Sequence, residues 1–232
     1  MKELCKPLIK ICGLTNPEEV TWVVEEKADY AGFVLFFPKS KRNLKSEQAA
    51  ELLEVLREEK KKNKTEKPKA VAVVVSPTAE QIGEIQNLGF DFIQIHGTIG
   101  QDVVDCLNIP VIRAVNVQDN DFSQKQQIAE KIRADLRKES ELFKGKVAAY
   151  LFDAQKPGSG KAFDWEILTM IKQDCGKVIL AGGLNPDNVT AAIEAVEPDI
   201  VDVSSGVEIS KDMVGKDRNK IKEFIRKVRA DE

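Results

Sequence analysis

The chain carries a single histidine, and its four cysteines (Cys5, Cys12, Cys106 and Cys175) stand apart with no C-x-x-C spacing. That leaves little material for a zinc site, so no metal ligand is expected. A chain of this length needs no disulfide staples, and free thiols in a reducing compartment are expected. No apolar run approaches the roughly 18 residues of a membrane-spanning helix, and the N-terminus lacks a signal-like pattern. The expectation is a soluble, cytoplasmic protein without a membrane partner. Neither charge sign dominates: 35 Lys and Arg against 38 Asp and Glu give a net charge of -3, which argues against nucleic acid as a partner. The one basic run, Lys60-Lys61-Lys62-Asn63-Lys64, lies between Glu58-Glu59 and Glu66 and reads as the solvated end of a helix. Low-complexity segments and domain boundaries are missing too, so residues 1–232 read as one domain.

What is present is an apolar content of 42%, enough for a sizeable core. Short runs rich in Val, Ile or Phe recur at Leu8–Cys12, Tyr30–Phe36, Ala70–Val75, Phe92–Ile95, Val111–Val115, Val147–Phe152, Val178–Leu180 and Ile200–Val203. Helical patterns alternate with them over Pro17–Glu26, Ser46–Lys62, Thr78–Leu88, Gln101–Leu107, Phe122–Glu141, Trp165–Ile171, Pro186–Ala195 and Asp217–Arg229. Asn16-Pro17-Glu18-Glu19 supplies a cap, a first-turn proline and early acids for the first helix, and Thr78 and Glu80 start the third. Ser46 followed by Glu47 supports the start of the second, while Gly89 and Gly176 read as the closures of the third and sixth. Eight strand–helix units in strict alternation predict an α/β fold with a parallel sheet closed into a (β/α)8 TIM barrel. An open doubly wound sheet is the alternative, but no G-x-G-x-x-G follows the first strand.

In a barrel of this kind function gathers where strands run into βα loops, and side chains alternate in and out along each strand. Lys10 and Cys12 share a face of the first strand, Gln94 and His96 of the fourth. Arg113 comes from the fifth strand, Asp153 ends the sixth in phase with Leu151, and Asp202 and Ser204 share a face of the eighth. Polar groups from five strands meeting at one rim make that rim the candidate site. Cys12 reads either as an inert small side chain or, beside the Lys10 cation, as a thiol of lowered pKa able to act as base or nucleophile. Asp153 either caps a loop or is an acid–base group, since a carboxyl at the end of a buried strand is costly without a task. His96 reads equally as a satisfied core histidine. The turns at Gly182-Gly183 and Ser204-Ser205-Gly206 follow the seventh and eighth strands, where backbone N–H groups and helix N-termini suit a phosphate; their glycines would also serve plain tight turns. The three cations in Pro38-Lys39-Ser40-Lys41-Arg42 read either as solvated surface charges or, for one arginine over the rim, as a group able to hold a carboxylate in two bonds.

The ordered set Lys10-Ile11-Cys12-Gly13, Pro38-Lys39-Ser40-Lys41-Arg42, Gln94-Ile95-His96-Gly97, Gly158-Ser159-Gly160-Lys161 with Phe163-Asp164-Trp165, Ala181-Gly182-Gly183-Leu184-Asn185-Pro186 and Asp202-Val203-Ser204-Ser205-Gly206-Val207-Glu208 resembles the phosphoribosylanthranilate isomerase family. The resemblance implies an Amadori rearrangement of N-(5′-phosphoribosyl)anthranilate in tryptophan biosynthesis, without metal or cofactor. It implies Cys12 as general base, Asp153 as general acid, and Arg42 on the anthranilate carboxylate. The substrate-binding set it implies comprises Lys10, Gln94, His96, Gly160, Gly182, Gly183, Asp202, Ser204, Ser205 and Gly206 as well. The partner is then a small phosphorylated sugar bearing an anthranilate group, and the protein a monomer or homodimer. The stretch 154–157 is short for the family, whereas 57–69 and 117–146 are long and fall on the outer ring. Two rival readings remain: the histidine-pathway isomerase of the same chemistry, whose family has an aspartate where Cys12 stands, and a barrel that binds phosphosugars without catalysis.

Overall fold

Runs such as Lys69-Ala70-Val71-Ala72-Val73-Val74-Val75 are apolar on both faces, the pattern of a parallel strand covered on both sides. In the computed structural model, which describes residues 6–117, 125–154, 164–210 and 213–229, the eight runs form β1 (Leu8–Cys12), β2 (Tyr30–Leu35), β3 (Lys69–Val75), β4 (Phe92–His96), β5 (Val111–Val117), β6 (Val147–Ala154), β7 (Val178–Leu180) and β8 (Ile200–Val203). Each pairs in parallel with the next, and β8 pairs with β1, which closes the barrel. A two-residue parallel strand, Asn43–Leu44, adds to the edge of β2; it is too short to show a period and is missing from the sequence reading.

The outer ring is α1 (Pro17–Glu25), α2 (Ser46–Lys62), α3 (Ala79–Leu88), α4 (Gln101–Asp105), α5 (Lys125–Phe143), α6 (Glu166–Ile171), α7 (Val189–Val196) and α8 (Arg218–Arg229). Asn16 Oδ1 accepts the Glu19 N–H, and Thr78 and Gln81 cap each other reciprocally. Gly89 ends α3 at a φ of +83°, a left-handed conformation that costs glycine little. Ser46 is the first helical residue rather than the cap, and the Lys45 N–H is satisfied by Gln48. Gly176 does not close α6, which ends at Ile171 and passes into a 3-10 turn over Lys172–Asp174. Asn185-Pro186-Asp187-Asn188 is a side-chain-stabilised turn before α7, with Asn185 Oδ1 accepting from Asp187 and Asn188. The start expected at Phe122 lies outside the described residues. Among the described residues no helix is long and apolar enough to cross a membrane.

Strand alternation divides the core in two. Val71, Val73, Ile112, Ala114, Leu151 and Ile179 fill the barrel interior together with Cys12, while Ile9, Ile11, Phe33, Ile95 and Phe152 face the helices. The same alternation corrects one expectation about the rim. Arg113 is buried, but it shares its face with neither Ile112 nor Ala114 and points outward. There it donates to Ile95 O at 2.8 Å and Gly97 O at 2.6 Å and pairs with Glu139 of α5 at 2.7 Å. Both faces of β5 are buried, so hydrophobicity alone does not say which one looks inward. Of the expected rim residues, those of β1, β4, β6 and β8 face inward, and β5 contributes Asn116, in phase with Ile112 and Ala114, in place of Arg113.

Candidate active site

Above the interior core the C-terminal ends of the strands open into a cleft of about 420 Å³. Cys12, Gln94, His96, Asp153, Asp202, Ser204 and Ser205 line it, with Gly182 and Gly183 on one side and Arg42 on another. A volume of that order suits a small ligand. Lys10 is fully buried beneath the floor, and Gly206 sits behind the β8 turn. Gly160 lies outside the described residues. Ser40 of the 38–42 loop also lines the cleft, as do Asn116 and Phe37, which no sequence pattern singled out.

The floor is a charged pair. Lys10 Nζ lies 2.9 Å from Asp202 Oδ2, in register across β1 and β8. Burial pulls the Lys10 pKa down, but the Asp202 carboxylate and the Cys12 sulfur more than offset this and hold the ammonium charged. Room for the ammonium and the thiol comes from Gly32 on β2. A Cβ there would lie 2.9 Å from Cys12 Sγ and 3.2 Å from Lys10 Nζ. Gly32 carries no periodic signal, and its importance appears only when β2 lies against β1.

The Cys12 thiol departs from the sequence expectation. Lys10 does pull its pKa down by charge and hydrogen bond, and Lys216 adds to this. Burial outweighs both, and Asp202 works in the same direction as burial, so the thiol lies above its ordinary value. Across the cleft, burial and then Asp202 push the Asp153 carboxyl up to about 6, against the Ala154 N–H that donates to its Oδ1 at 2.8 Å. The carboxyl is thus partly protonated near neutral pH, as a proton donor must be. His96 is held neutral: burial, Lys10 and Arg113 lower its pKa to about 4, and its Nε2 meets Gln94 Nε2 at 2.8 Å.

The two loops expected to bind phosphate are built for close approach. Gly182 and Gly183 have φ of +81° and +69°. A Cβ on Gly182 would stand 2.7 Å from Ala154 N, and one on Gly206 would stand 1.9 Å from Leu184 O. No side chain fits at either place, and the glycines let the β8 turn pack against the β7 turn and the β7 turn against the end of β6. Just past the β8 turn, Glu208, whose N–H donates to Ser205 O, gathers Arg42 at 2.5 Å, Lys41 at 3.0 Å and Lys216 at 3.6 Å. Lys216 in turn donates to Ser204 O at 3.1 Å, and its N–H donates to the buried Glu19. The sequence reading gave Glu208, Lys216 and Glu19 no role at the site, because nothing in the chain signals contacts across 166 to 197 residues. Among the described residues no group of three or more His, Cys, Asp or Glu is placed to hold a metal ion. A buried thiol and a carboxyl of raised pKa facing one cleft suit proton transfer to and from a bound small molecule.

Residues 9–227 match the family model described as N-(5′-phosphoribosyl)anthranilate (PRA) isomerase. The chain is 39% identical over 222 residues to the N-(5′-phosphoribosyl)anthranilate isomerase of Streptococcus mutans, covering 95% of this chain and 98% of that one. Among solved structures it resembles monomers generated from the dimeric phosphoribosylanthranilate isomerase of Thermotoga maritima. The TM-score is 0.74 and the identity 30%, over 96% of this chain and 98% of that one. The same four values describe a phosphoribosyl anthranilate isomerase in complex with reduced 1-(o-carboxyphenylamino)-1-deoxyribulose 5-phosphate.

Proposed function

The chain belongs to the N-(5′-phosphoribosyl)anthranilate isomerase family, and on that premise we propose how its rim residues carry out the isomerisation. The enzyme converts N-(5′-phosphoribosyl)anthranilate to 1-(2-carboxyphenylamino)-1-deoxyribulose 5-phosphate, a step of tryptophan biosynthesis. Protonated Asp153 gives its proton to the furanose ring oxygen. The bond from that oxygen to C1 breaks, and the anthranilate nitrogen lone pair closes a C1=N Schiff base. The iminium draws electrons and acidifies the C2–H. The Cys12 thiolate removes that proton, the C–H electrons become the C1=C2 bond, and the C1=N pair returns to nitrogen. The resulting enol tautomerises, with a proton added at C1, to the C2 ketone.

Each charged end of the substrate has its own partner in this reading. Arg42 takes the anthranilate carboxylate; Gly182, Gly183, Ser204, Ser205 and Gly206, with Gly160, take the phosphate. Gln94, His96 and Asp202 line the middle of the cleft, where the pentose lies. Lys10 acts from below, through the charge it places beside Cys12 and Asp202. The observation that carries the proposal is that Cys12, Asp153 and the two glycine turns open onto a single cleft. A cytoplasmic location and a monomeric or homodimeric state complete it, and size-exclusion chromatography with light scattering decides between the two states.

The direct test is the decay of phosphoribosylanthranilate fluorescence on adding the protein, with Cys12→Ala alongside. Fast loss with the parent and none with the variant is expected. Equal, slow loss with both would leave a phosphosugar-binding barrel without these catalytic roles.

A further inference from the structure

Arg42 reaches the cleft from a loop, and a long side chain on a loop is a poor clamp unless something fixes it. Glu208 stands behind it. This carboxylate is 3% exposed and does not line the cleft, whereas Arg42 does. Its Oε1 takes the Arg42 Nε–H at 2.5 Å, its Oε2 meets Lys41 Nζ at 3.0 Å, and Lys216 Nζ lies 3.6 Å from Oε1. Among the described residues the bond to Arg42 uses Nε alone, which leaves Nη1 and Nη2 for a ligand in the cleft. A guanidinium held through Nε keeps its plane and direction while its outer edge can still meet a carboxylate in two parallel bonds.

The charge balance supports the same role. Without Glu208, three cations would crowd one corner, and Arg42 would be free to swing toward Asp202 and Asp153 across the cleft. A buried carboxylate is costly unless it is paired, and Glu208 has three cations from two segments, Lys41 and Arg42 of one loop and Lys216 of another, to meet that cost.

We propose that Glu208 is a positioning residue that fixes Arg42 for the anthranilate carboxylate and so sets affinity for the aromatic end of the substrate. This deepens the carboxylate role given to Arg42 above and rests on it. Glu208 touches no reacting atom, and its effect passes through Arg42.

The test is a double-mutant cycle in the full chain with Glu208→Gln, Arg42→Ala and the pair, with KM, kcat and inhibition by inorganic phosphate measured for each. One charge-assisted hydrogen bond lost from a buried site makes a KM increase of roughly tenfold the expectation for Glu208→Gln, with kcat within about threefold. The phosphate inhibition constant should change less than KM, because Glu208 bonds neither Gly182 nor Gly183 and reaches Ser204 only through Lys216. In the Arg42→Ala background, Glu208→Gln should raise KM no further. A tenfold rise that persists without Arg42, or an unchanged KM for Glu208→Gln beside a raised one for Arg42→Ala, would overturn the proposal. If Arg42→Ala itself left KM unchanged, the fault would lie with the carboxylate role of Arg42. Glu208→Asp keeps the charge but withdraws it by one methylene, and an intermediate KM is expected. That variant serves if the glutamine one does not fold.

Discussion

Replacing Asp153 by asparagine removes the proton that the chemistry needs and also a charge that the fold holds at a cost. In the folded protein the carboxyl titrates at about 6, against an ordinary value of 3.8. Each tenfold in proton affinity is worth ~1.4 kcal/mol, so ionising this group in the fold rather than in the unfolded chain costs about 3 kcal/mol. Asp153 is only 9% exposed, so solvent screening removes little of that. The folded pKa lies above the unfolded one, so the native state binds more protons, and stability falls as pH rises from 3.8 to about 6. Outside that window this group contributes no slope. Asparagine has no such charge, and its Oδ1 can keep the hydrogen bond from Ala154 N–H. Asp153→Asn should therefore match the parent at low pH and gain less than about 1 kcal/mol at pH 4. At pH 7.5 it should gain up to about 3 kcal/mol, while losing nearly all turnover. Urea denaturation followed by circular dichroism across this range measures the gap. A gap that does not widen between pH 4 and pH 7, or a variant less stable than the parent at pH 7.5, would refute the reasoning.

The order of the two titrations shapes the activity profile. Turnover needs Asp153 protonated and Cys12 ionised, yet the carboxyl titrates at about 6 and the thiol above 9.0. Between those values the gain in thiolate cancels the loss of acid, so kcat/KM should climb to about pH 6, stay level, and fall only in the alkaline range. A narrow bell centred near pH 7 would contradict this, and Cys12→Ser should be severely impaired at every pH, because a hydroxyl is a far weaker base. Gly182→Ala puts a Cβ 2.7 Å from Ala154 N and 2.8 Å from Asp153 Oδ1 at a φ of +81°. It should cost about 1–3 kcal/mol of stability and weaken phosphate inhibition, and parent-like values of both would count against a built anion cradle there.

Much of this protein could be read from its chain because the controlling patterns are local. Alternation with a period of two set β1 and put Cys12 at its end. The Asn16-Pro17 and Thr78-Ala79-Glu80 signals set two helix starts, and eight short apolar runs separated by helices required a parallel sheet. That sheet in turn brought Gln94, His96, Asp153, Asp202 and Ser204 to one rim. What the chain could not specify depends on which strand lies beside which and on how deep each group is buried. Arg113 has the right residue type and the wrong face, because both faces of β5 are apolar and only packing against α5 selects one. Gly32 matters because β2 brings it against the thiol and the ammonium. Glu208 meets Arg42 across 166 residues, a distance over which sequence carries no signal. The sign of the Cys12 shift is of the same kind: its neighbour Lys10 is visible in the sequence and pulls one way, but desolvation belongs to the closed barrel and pulls harder.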